Sequence, residues 1–126
     1  MFDIVNESII SDTSLFLTEK TWKPILYKNP FIILGSKGTC RHLQNFWGIK
    51  LYSDIINYSF DYVAYPQRLH RMVEDNLRPI MSMHIDELNK WLNSKSTQDK
   101  LSYNQEKLLN TKCESLYDFI DKHIHS

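Results

Sequence analysis

The sequence predicts an α/β fold in which a small parallel sheet is followed by a helical C-terminal tail. Short apolar stretches lie at 2–5, 31–34 and 49–52, and segments with helical spacing separate them. Parallel strands need such crossover helices, so the order β-α-β-α-β indicates a parallel sheet. At 126 residues the chain has room for a single domain, with a sheet-forming part at 1–64 and a helical extension at 65–126.

The first strand and the first helix are predicted near the N-terminus. Phe2–Val5 is short, apolar and β-branched, and the polar residues after it are expected to form a loop. The following helix is expected to start near Thr18 or Thr21, because threonine is a good N-cap residue. Pro24 then falls in or just after the first turn, where the loss of its N–H is best tolerated.

Two more strands and one helix are predicted in the next part of the chain. An Asn-Pro pair ends the first helix, and Phe31–Leu34 has the uninterrupted apolar character of a buried strand. The turn Gly35–Gly38 leads into a second helix over 39–47. Gly48 suits the end of that helix, and Ile49–Tyr52 suits a third short strand.

Only helices are predicted for the C-terminal part of the chain. Apolar residues recur at helical spacing over 67–94, and Pro79 is expected to kink this helix or divide it in two. A polar break is expected at 95–99. Two amphipathic helices are then predicted at 104–110 and 114–123.

The composition limits the classes of function. Lys plus Arg and Asp plus Glu both number 15, so net charge provides no general attraction to nucleic acid or anionic membranes. No run of about 18 apolar residues is present, and the N-terminus lacks the layout of a signal peptide. Cys40 and Cys113 stand far apart and outside any paired motif, so both are expected to be reduced thiols. A cytoplasmic protein without a membrane span is therefore predicted.

Several residues with chemical potential are assigned structural roles. The five histidines lie on separate predicted helices or at the C-terminus, so no metal site is expected. His84 lies on the apolar stripe of its helix and is expected in the core. Trp22 is also expected in the core rather than as a stacking platform. Cys40 has no evident base beside it and is not expected to be a nucleophile.

The main functional signal is the pair Glu19 and Lys20 at the mouth of the first helix. A cation and the backbone N–H groups of a helix start bind phosphate, and a carboxylate binds hydroxyls. The pair therefore predicts a site for a phosphorylated, hydroxyl-bearing ligand. The alternative is a solvated helix start, in which the carboxylate complements the helix dipole and the lysine points outward.

Weaker signals surround this pair. Glu7, just after the first strand, either lines the same cleft or is a surface loop carboxylate. Lys37 in the glycine-containing turn offers a second phosphate contact, although the turn lacks the spacing of a P-loop. Arg68 and Arg71 could reach back to the cleft, but a solvated helix face is the expected role for both.

Three motifs occur in a characteristic order in the first 35 residues. They are Val5–Ser8 (Val-Asn-Glu-Ser), Thr18–Trp22 (Thr-Glu-Lys-Thr-Trp) and Pro30–Ile32 with Gly35 after it. In this order they resemble the donor-binding half of fucosyltransferase-like GT-B glycosyltransferases, closest to members from bacteriophages and bacteria. A Tyr-Ser-Phe-Asp segment at 58–61 is similar to a later part of the same pattern. The resemblance implies half of a GT-B Rossmann-like domain.

The resemblance also implies roles for individual residues. Lys20 would contact the pyrophosphate of a nucleotide-sugar donor, and Glu19 would take hydroxyls of the ribose or the sugar. Thr18, in the same motif, and Glu7, at the neighbouring strand end, would line that cleft. One departure is the Lys-Asn pair at 28–29, where the pattern has a small residue or glycine.

A complete GT-B enzyme has an N-terminal domain that supplies the acceptor site and the catalytic base. The resemblance covers only the donor half, so catalytic residues are not assigned, and a partner chain, self-association or a longer gene product is expected. No cofactor besides the donor is implied. The alternative is a non-catalytic interaction module that retains the fold, while nucleic-acid binding is disfavoured by the neutral charge.

Overall fold

The computed structural model describes residues 2–7 and 19–110, which form an α/β fold with a small parallel sheet and mostly helices. Strand β1 (Asp3–Asn6) pairs in parallel with strand β2 (Phe31–Leu34), and all four residues of each strand are in register. A helix lies in the connection between them, as parallel pairing requires. The predicted fold class is confirmed at this level.

Helix α1 (Glu19–Leu26) carries the chain from β1 to β2. It starts between the two predicted N-caps, and Trp22 and Ile25 on its inner side are buried. The ring of Trp22 packs edge-on against that of Trp47 with 4.9 Å between centroids, which confirms its place in the core. Pro24 falls in the second turn, just after the first, as predicted.

The turn between α1 and β2 contains a residue in the left-handed conformation. Lys28 has a φ of 58°. A residue with a side chain adopts this conformation at a cost of about 1 kcal/mol, whereas glycine adopts it freely. This conformation gives a physical reason why a small residue or glycine suits this position.

Strand β2 lies at the centre of the core. All four of its side chains are buried, so the strand is covered on both faces. This burial explains its uninterrupted apolar sequence. Helix α2 (Thr39–Asn45) follows it and begins at the predicted residue. Gly48, with a φ of 72°, lies just past the end of α2.

The predicted third strand is wrong. Residues 49–52 are not part of any strand, although Ile49, Leu51 and Tyr52 are buried. The backbone of Lys50 is paired with a side chain instead: its N–H donates to Oδ1 of Asn104, and its C=O accepts from Nδ2, each at 2.8 Å. The amide group therefore provides the two hydrogen bonds that a neighbouring strand would otherwise provide.

A second buried asparagine, Asn76, binds the backbone of Asn57 with the same pair of hydrogen bonds. Oδ1 of Asn76 accepts from the backbone N–H of Asn57 at 2.7 Å, and its Nδ2 donates to the Asn57 carbonyl at 2.8 Å. Both Asn76 and Asn104 are 1% exposed. We call these two pairs, Asn104 with Lys50 and Asn76 with Asn57, the amide clamps. They hold the irregular segment 49–57 in place, and a short 3₁₀ helix (Tyr58–Tyr62) follows it.

A kink or a division of the helix was expected at Pro79, and the helical stretch is not divided there. It consists of α3 (Gln67–Met72), a π-helical turn (Val73–Leu77) and α4 (Arg78–Ser82). The wide π turn comes directly before the proline, which takes an early position in α4 where its missing N–H is tolerated. The chain leaves the helix only at Met83.

Helix α5 (Ile85–Leu92) begins after that break, and His84 has a different role from the predicted one. Its side chain is 69% exposed, and Nδ1 accepts a hydrogen bond from the backbone N–H of Asp86 at 3.2 Å. The expectation of a core histidine is therefore wrong. The apolar periodicity runs through His84, but the helix starts only after it.

Helix α6 (Lys95–Leu109) replaces the predicted polar break at 95–99. Ser94 caps it by accepting from the N–H of Thr97, and Lys95 pairs with Asp99 at 2.8 Å across one turn. These polar residues begin a helix rather than end one. The predicted helix at 114–123 lies outside the described residues.

Among the helices of residues 2–7 and 19–110, none is long and apolar enough to cross a membrane.

Candidate functional site

Each strand of the parallel pair leads into a helix at the same edge of the sheet. The β1 end is connected to α1, whose described part starts at Glu19, and the β2 end leads through 35–38 into α2. Ligands of α/β proteins bind beyond the carboxyl ends of parallel strands, where such helices begin. The two helix starts are therefore the places to compare.

On the β1 side, a buried hydrogen bond connects the strand to the first turn of α1. The hydroxyl of Thr21 donates to Oε1 of Glu7 at 2.9 Å, and both residues are buried. Glu7 is 2% exposed, so in this structure its carboxylate lies inside the protein. Its direct contact with a ligand hydroxyl stays a prediction. Its observed contact positions the turn that carries Glu19 and Lys20.

Lys20 has an exposed side chain and lines a groove between α1 and β1. The groove has a volume of about 450 Å³. Its walls are the whole of β1, one side of α1 and the turn before β2, and the lining residues are Asp3, Ile4, Val5, Asn6, Lys20, Lys23, Pro24, Tyr27 and Asn29. Lys20 and Asn6 therefore share one groove at the carboxyl end of the strand.

The other two residues of the predicted site are only partly described. Glu19 is the first residue of α1, one position before Lys20, as the sequence predicted for the helix mouth. Thr18 lies outside the described residues. The roles implied for both by the resemblance stay predictions.

On the β2 side, the start of α2 already holds a carboxylate of the chain itself. Asp61 is 2% exposed and accepts hydrogen bonds from the backbone N–H groups of Cys40 at 3.0 Å and Arg41 at 3.2 Å. Nε of Arg41 lies 3.5 Å from the same carboxylate. The Asp61 carbonyl also accepts from the N–H of Gly38 at 3.0 Å. The donors that would bind a phosphate are therefore engaged by Asp61.

Asp61 was missed as a cap because it stands about twenty residues after the helix it caps. The position before α2 is Gly38, which has a φ of 84° and no side chain to act as a cap. A helix start that follows glycine needs an acceptor from elsewhere in the chain. That requirement was a usable signal, although it does not say which residue supplies the acceptor.

Burial also decides the chemistry of Cys40, in the first turn of α2. Removal from water, and then the neighbouring carboxylate of Asp61, raise the pKa of the Cys40 thiol well above its usual value. The thiolate is the reactive form, so this thiol is unreactive at neutral pH. The expectation that Cys40 is not a nucleophile agrees with this environment.

The solvated helix face expected for Arg68 is wrong. Arg68 is 1% exposed, and its Nη1 donates to the carbonyl of Val63 at 2.9 Å. It lies on α3, which packs against β2 and the 3₁₀ helix. Arg71, three positions later, is exposed as expected. The amphipathic pattern did not predict the burial of Arg68, because such a pattern assigns every charged residue to the solvent-exposed face of a helix.

The end of β2 contributes one more buried polar group. Ser36 is 1% exposed, and its hydroxyl has no hydrogen-bond partner among residues 2–7 and 19–110. Its carbonyl accepts from the hydroxyl of Thr39 at 2.6 Å, which closes the turn onto α2.

Within residues 2–7 and 19–110, no group of three or more His, Cys, Asp or Glu side chains is placed to hold a metal ion.

No protein-family model matches the chain, and no significant match was found among curated proteins or solved structures.

Proposed function

We propose that the carboxyl end of the β1–β2 pair binds a nucleoside diphosphate sugar, and that the fold is the donor-binding half of a GT-B Rossmann-like domain. The observation that carries this proposal is the position of Lys20 in the first turn of α1, in a groove shared with Asn6 at the end of β1. A lysine and a helix start together offer positive charge to a diphosphate. The residue pattern around it resembles the donor half of fucosyltransferase-like enzymes.

The difference between the two helix starts supports α1 as the phosphate-binding one. Asp61 already places a negative charge at the start of α2 and is bound there by two backbone N–H groups. A second anion at that point would meet like charge in a buried setting. Lys37, on the turn before α2, is therefore not assigned a phosphate contact.

The remaining residues of the site have separate roles in this proposal. Glu19 takes hydroxyls of the ribose or the sugar, and Thr18 belongs to the same substrate-binding motif. Glu7 holds the first turn of α1 in position through Thr21, so it acts on the donor through the helix that carries Lys20. This arrangement makes the buried hydrogen bond a positioning element for the charged contact.

The reaction assigned to this site is sugar transfer, with fucose as the sugar that the resemblance suggests. The bond from the anomeric carbon to the diphosphate breaks, and a bond from that carbon to an acceptor hydroxyl forms. The hydroxyl proton passes to a base supplied by an acceptor domain or partner chain. Lys20 offsets the negative charge that develops on the leaving diphosphate, so it lowers the barrier as well as the dissociation constant.

The test is ligand-observed NMR of the full chain against a panel of nucleoside diphosphate sugars. Lys20→Ala is the informative variant, and Lys37→Ala is its control, because it removes an exposed lysine from the turn between β2 and α2. Loss of a charge-assisted contact of about 1.5–3 kcal/mol predicts a roughly 10- to 150-fold weaker Kd for Lys20→Ala and an unchanged Kd for Lys37→Ala. Donor binding that survives in Lys20→Ala would refute the assignment.

A non-catalytic interaction module is the second candidate function. The observation that favours it is exposed apolar surface along β1 and α1, where Ile4 is 58% and Tyr27 is 49% exposed. Exposed apolar residues on an edge strand favour association with another chain. Absence of binding to every sugar nucleotide in the panel, in a correctly folded protein, would favour this function over the first.

A further inference from the structure

Strand β1 has one paired edge and one edge that faces no other strand among the described residues. The N–H groups of Asp3 and Glu7 donate toward the β2 side, to the carbonyls of Pro30 and Leu34 at 2.8 and 3.0 Å. In a parallel ladder alternate residues point their N–H and C=O to opposite edges. Ile4 and Asn6 therefore direct their backbone groups to the outer edge, where another extended chain can pair with them.

The groove described above runs along this outer edge. Its floor includes the four residues of β1, and its far wall is formed by Lys20 and Lys23 of α1 and by Tyr27 just after that helix. Ile4, with 58% of its surface exposed, presents an apolar side chain beside the same edge. The groove thus combines strand backbone groups that pair with no other strand in residues 2–7 and 19–110, an apolar residue and two lysines.

The two faces of β1 impose a pattern on any added strand. Val5 and Glu7 point to the buried face, where α1 lies, because Thr21 of α1 bonds to Glu7. Ile4 and Asn6 point to the opposite, exposed face. Side chains of an added strand alternate in the same way. Those beside Ile4 are then apolar, and those that face α1 meet Lys20 and Lys23 and are acidic.

We propose that the outer edge of β1 receives an extended segment of a partner polypeptide in which apolar and acidic residues alternate. Its main chain pairs with Ile4 and Asn6, and its carboxylates lie against Lys20 and Lys23. This inference goes beyond the proposed function and does not depend on it. The segment shares Lys20 and part of the groove with the proposed donor site, so we expect donor and segment to compete for binding.

The experiment uses the full chain and two synthetic six-residue peptides with blocked ends, one alternating Val and Glu and the other alternating Val and Lys. Binding is followed by fluorescence anisotropy, and amide exchange is measured at Ile4 and Asn6. We expect the acidic peptide to bind at least about tenfold more tightly than the basic one, because complementary charges favour it. We also expect it to slow exchange at these two amides.

Two variants test the geometry. Ile4→Pro removes an N–H from the outer edge while the bonds from Asp3 and Glu7 to β2 remain, so peptide binding is lost. Lys23→Glu, a change at an exposed position, shifts the preference toward the basic peptide without removing any backbone group. Because Lys23→Glu does not alter the strand, it remains informative even if Ile4→Pro unfolds the protein.

The proposal is overturned if the acidic peptide does not bind, or if its affinity is unchanged in Lys23→Glu. It is also overturned if light scattering shows a dimer whose interface protects Ile4 and Asn6 and excludes the peptide, since a second copy then occupies the edge. Donor binding, measured on the same protein without peptide, separates the two proposals. A chain that binds donor but no peptide refutes only the added strand, and the reverse result refutes only the donor site.

Discussion

The two helices that follow β1 and β2 differ in how charge is placed at their starts. The turn after β2 leads to a helix start that is neutralised from within, by the buried carboxylate of Asp61. The first turn of α1, the helix after β1, carries an exposed lysine and is fixed by the buried Glu7–Thr21 hydrogen bond. The starts of α1 and α2 lie at the same edge of the sheet, but only the start of α2 has its N–H groups bound by the carboxylate of Asp61.

The difference extends to how each side of the sheet is held. On the β1 side, the strand is held by the backbone ladder to β2, and the residue after it by the hydroxyl of Thr21. On the β2 side, buried side chains from later in the chain make the contacts: Asp61 caps α2, and the amide of Asn104 binds the segment after it. The β1 side therefore keeps its helix start without a capping carboxylate from later in the described chain, whereas the β2 side depends on side chains from later in the sequence.

The largest expected effect comes from removing the cap of α2. Asp61→Ala leaves two backbone donors and the guanidinium of Arg41 without their buried acceptor, and we expect a loss of about 3 kcal/mol in the free energy of unfolding. Urea denaturation followed by circular dichroism measures it. Asp61→Asn keeps one side-chain acceptor and should lose less. A change below about 0.5 kcal/mol for Asp61→Ala would contradict the role of this cap.

The next effect tests the amide clamp on the same side of the molecule. Asn104→Ala removes both hydrogen bonds to the backbone of Lys50, so a partly buried carbonyl and N–H lose their partner, at an expected cost of about 2 kcal/mol. The measurement is the midpoint of chemical denaturation. Ser102→Ala, an exposed change in the same helix, is the control and should be neutral.

A smaller effect on stability is expected on the β1 side. Thr21→Val removes the donor to Glu7 while keeping the shape of the side chain, and we expect a cost of about 1 kcal/mol. Thr21→Ser retains the hydroxyl and should recover most of that loss. If the contact positions Lys20, donor affinity falls in the valine variant and recovers in the serine variant. Equal affinity in both would separate the hydrogen bond from binding.

The smallest expected effect is a gain in stability at the turn before β2. Lys28→Gly relieves the left-handed conformation with a φ of 58°, which raises the free energy of unfolding. The larger entropy of glycine in the unfolded chain offsets part of this gain, so we expect a net rise of about 0.5 kcal/mol. The midpoint of thermal unfolding reports this change. Lys90→Gly, an exposed site within α5, is the contrasting control and should destabilise the protein.

The parts of the fold that sequence patterns predicted are those determined by neighbours in the chain. The two strands, α1 and the start of α2 follow from short apolar runs, turn residues and capping preferences. The segment 49–52 has the same apolar character and is buried, yet it forms no strand. Its hydrogen-bonding partner is a side chain 54 residues away, and no local pattern contains that information.

The candidate site was predictable to a similar extent. The position of Lys20 at the start of α1 followed from the local sequence. The burial of Glu7 and Arg68 did not, because each depends on which groups the fold brings against it. Asp61 appeared in the sequence only as part of a resembling segment, and its contact with α2 needs the three-dimensional path of the chain.

The amide clamp between Asn104 and Lys50 has a consequence for the order of folding during synthesis. The β1–α1–β2 unit has all its ladder partners once residue 34 has left the ribosome. The hydrogen bonds to the backbone of Lys50 cannot form until Asn104, 54 residues later in the chain, has been synthesised. Until then this apolar segment has solvent as the partner for its main chain. A nascent chain arrested before α6 is complete should therefore be cut by protease near 49–57 while β1 and β2 are already protected.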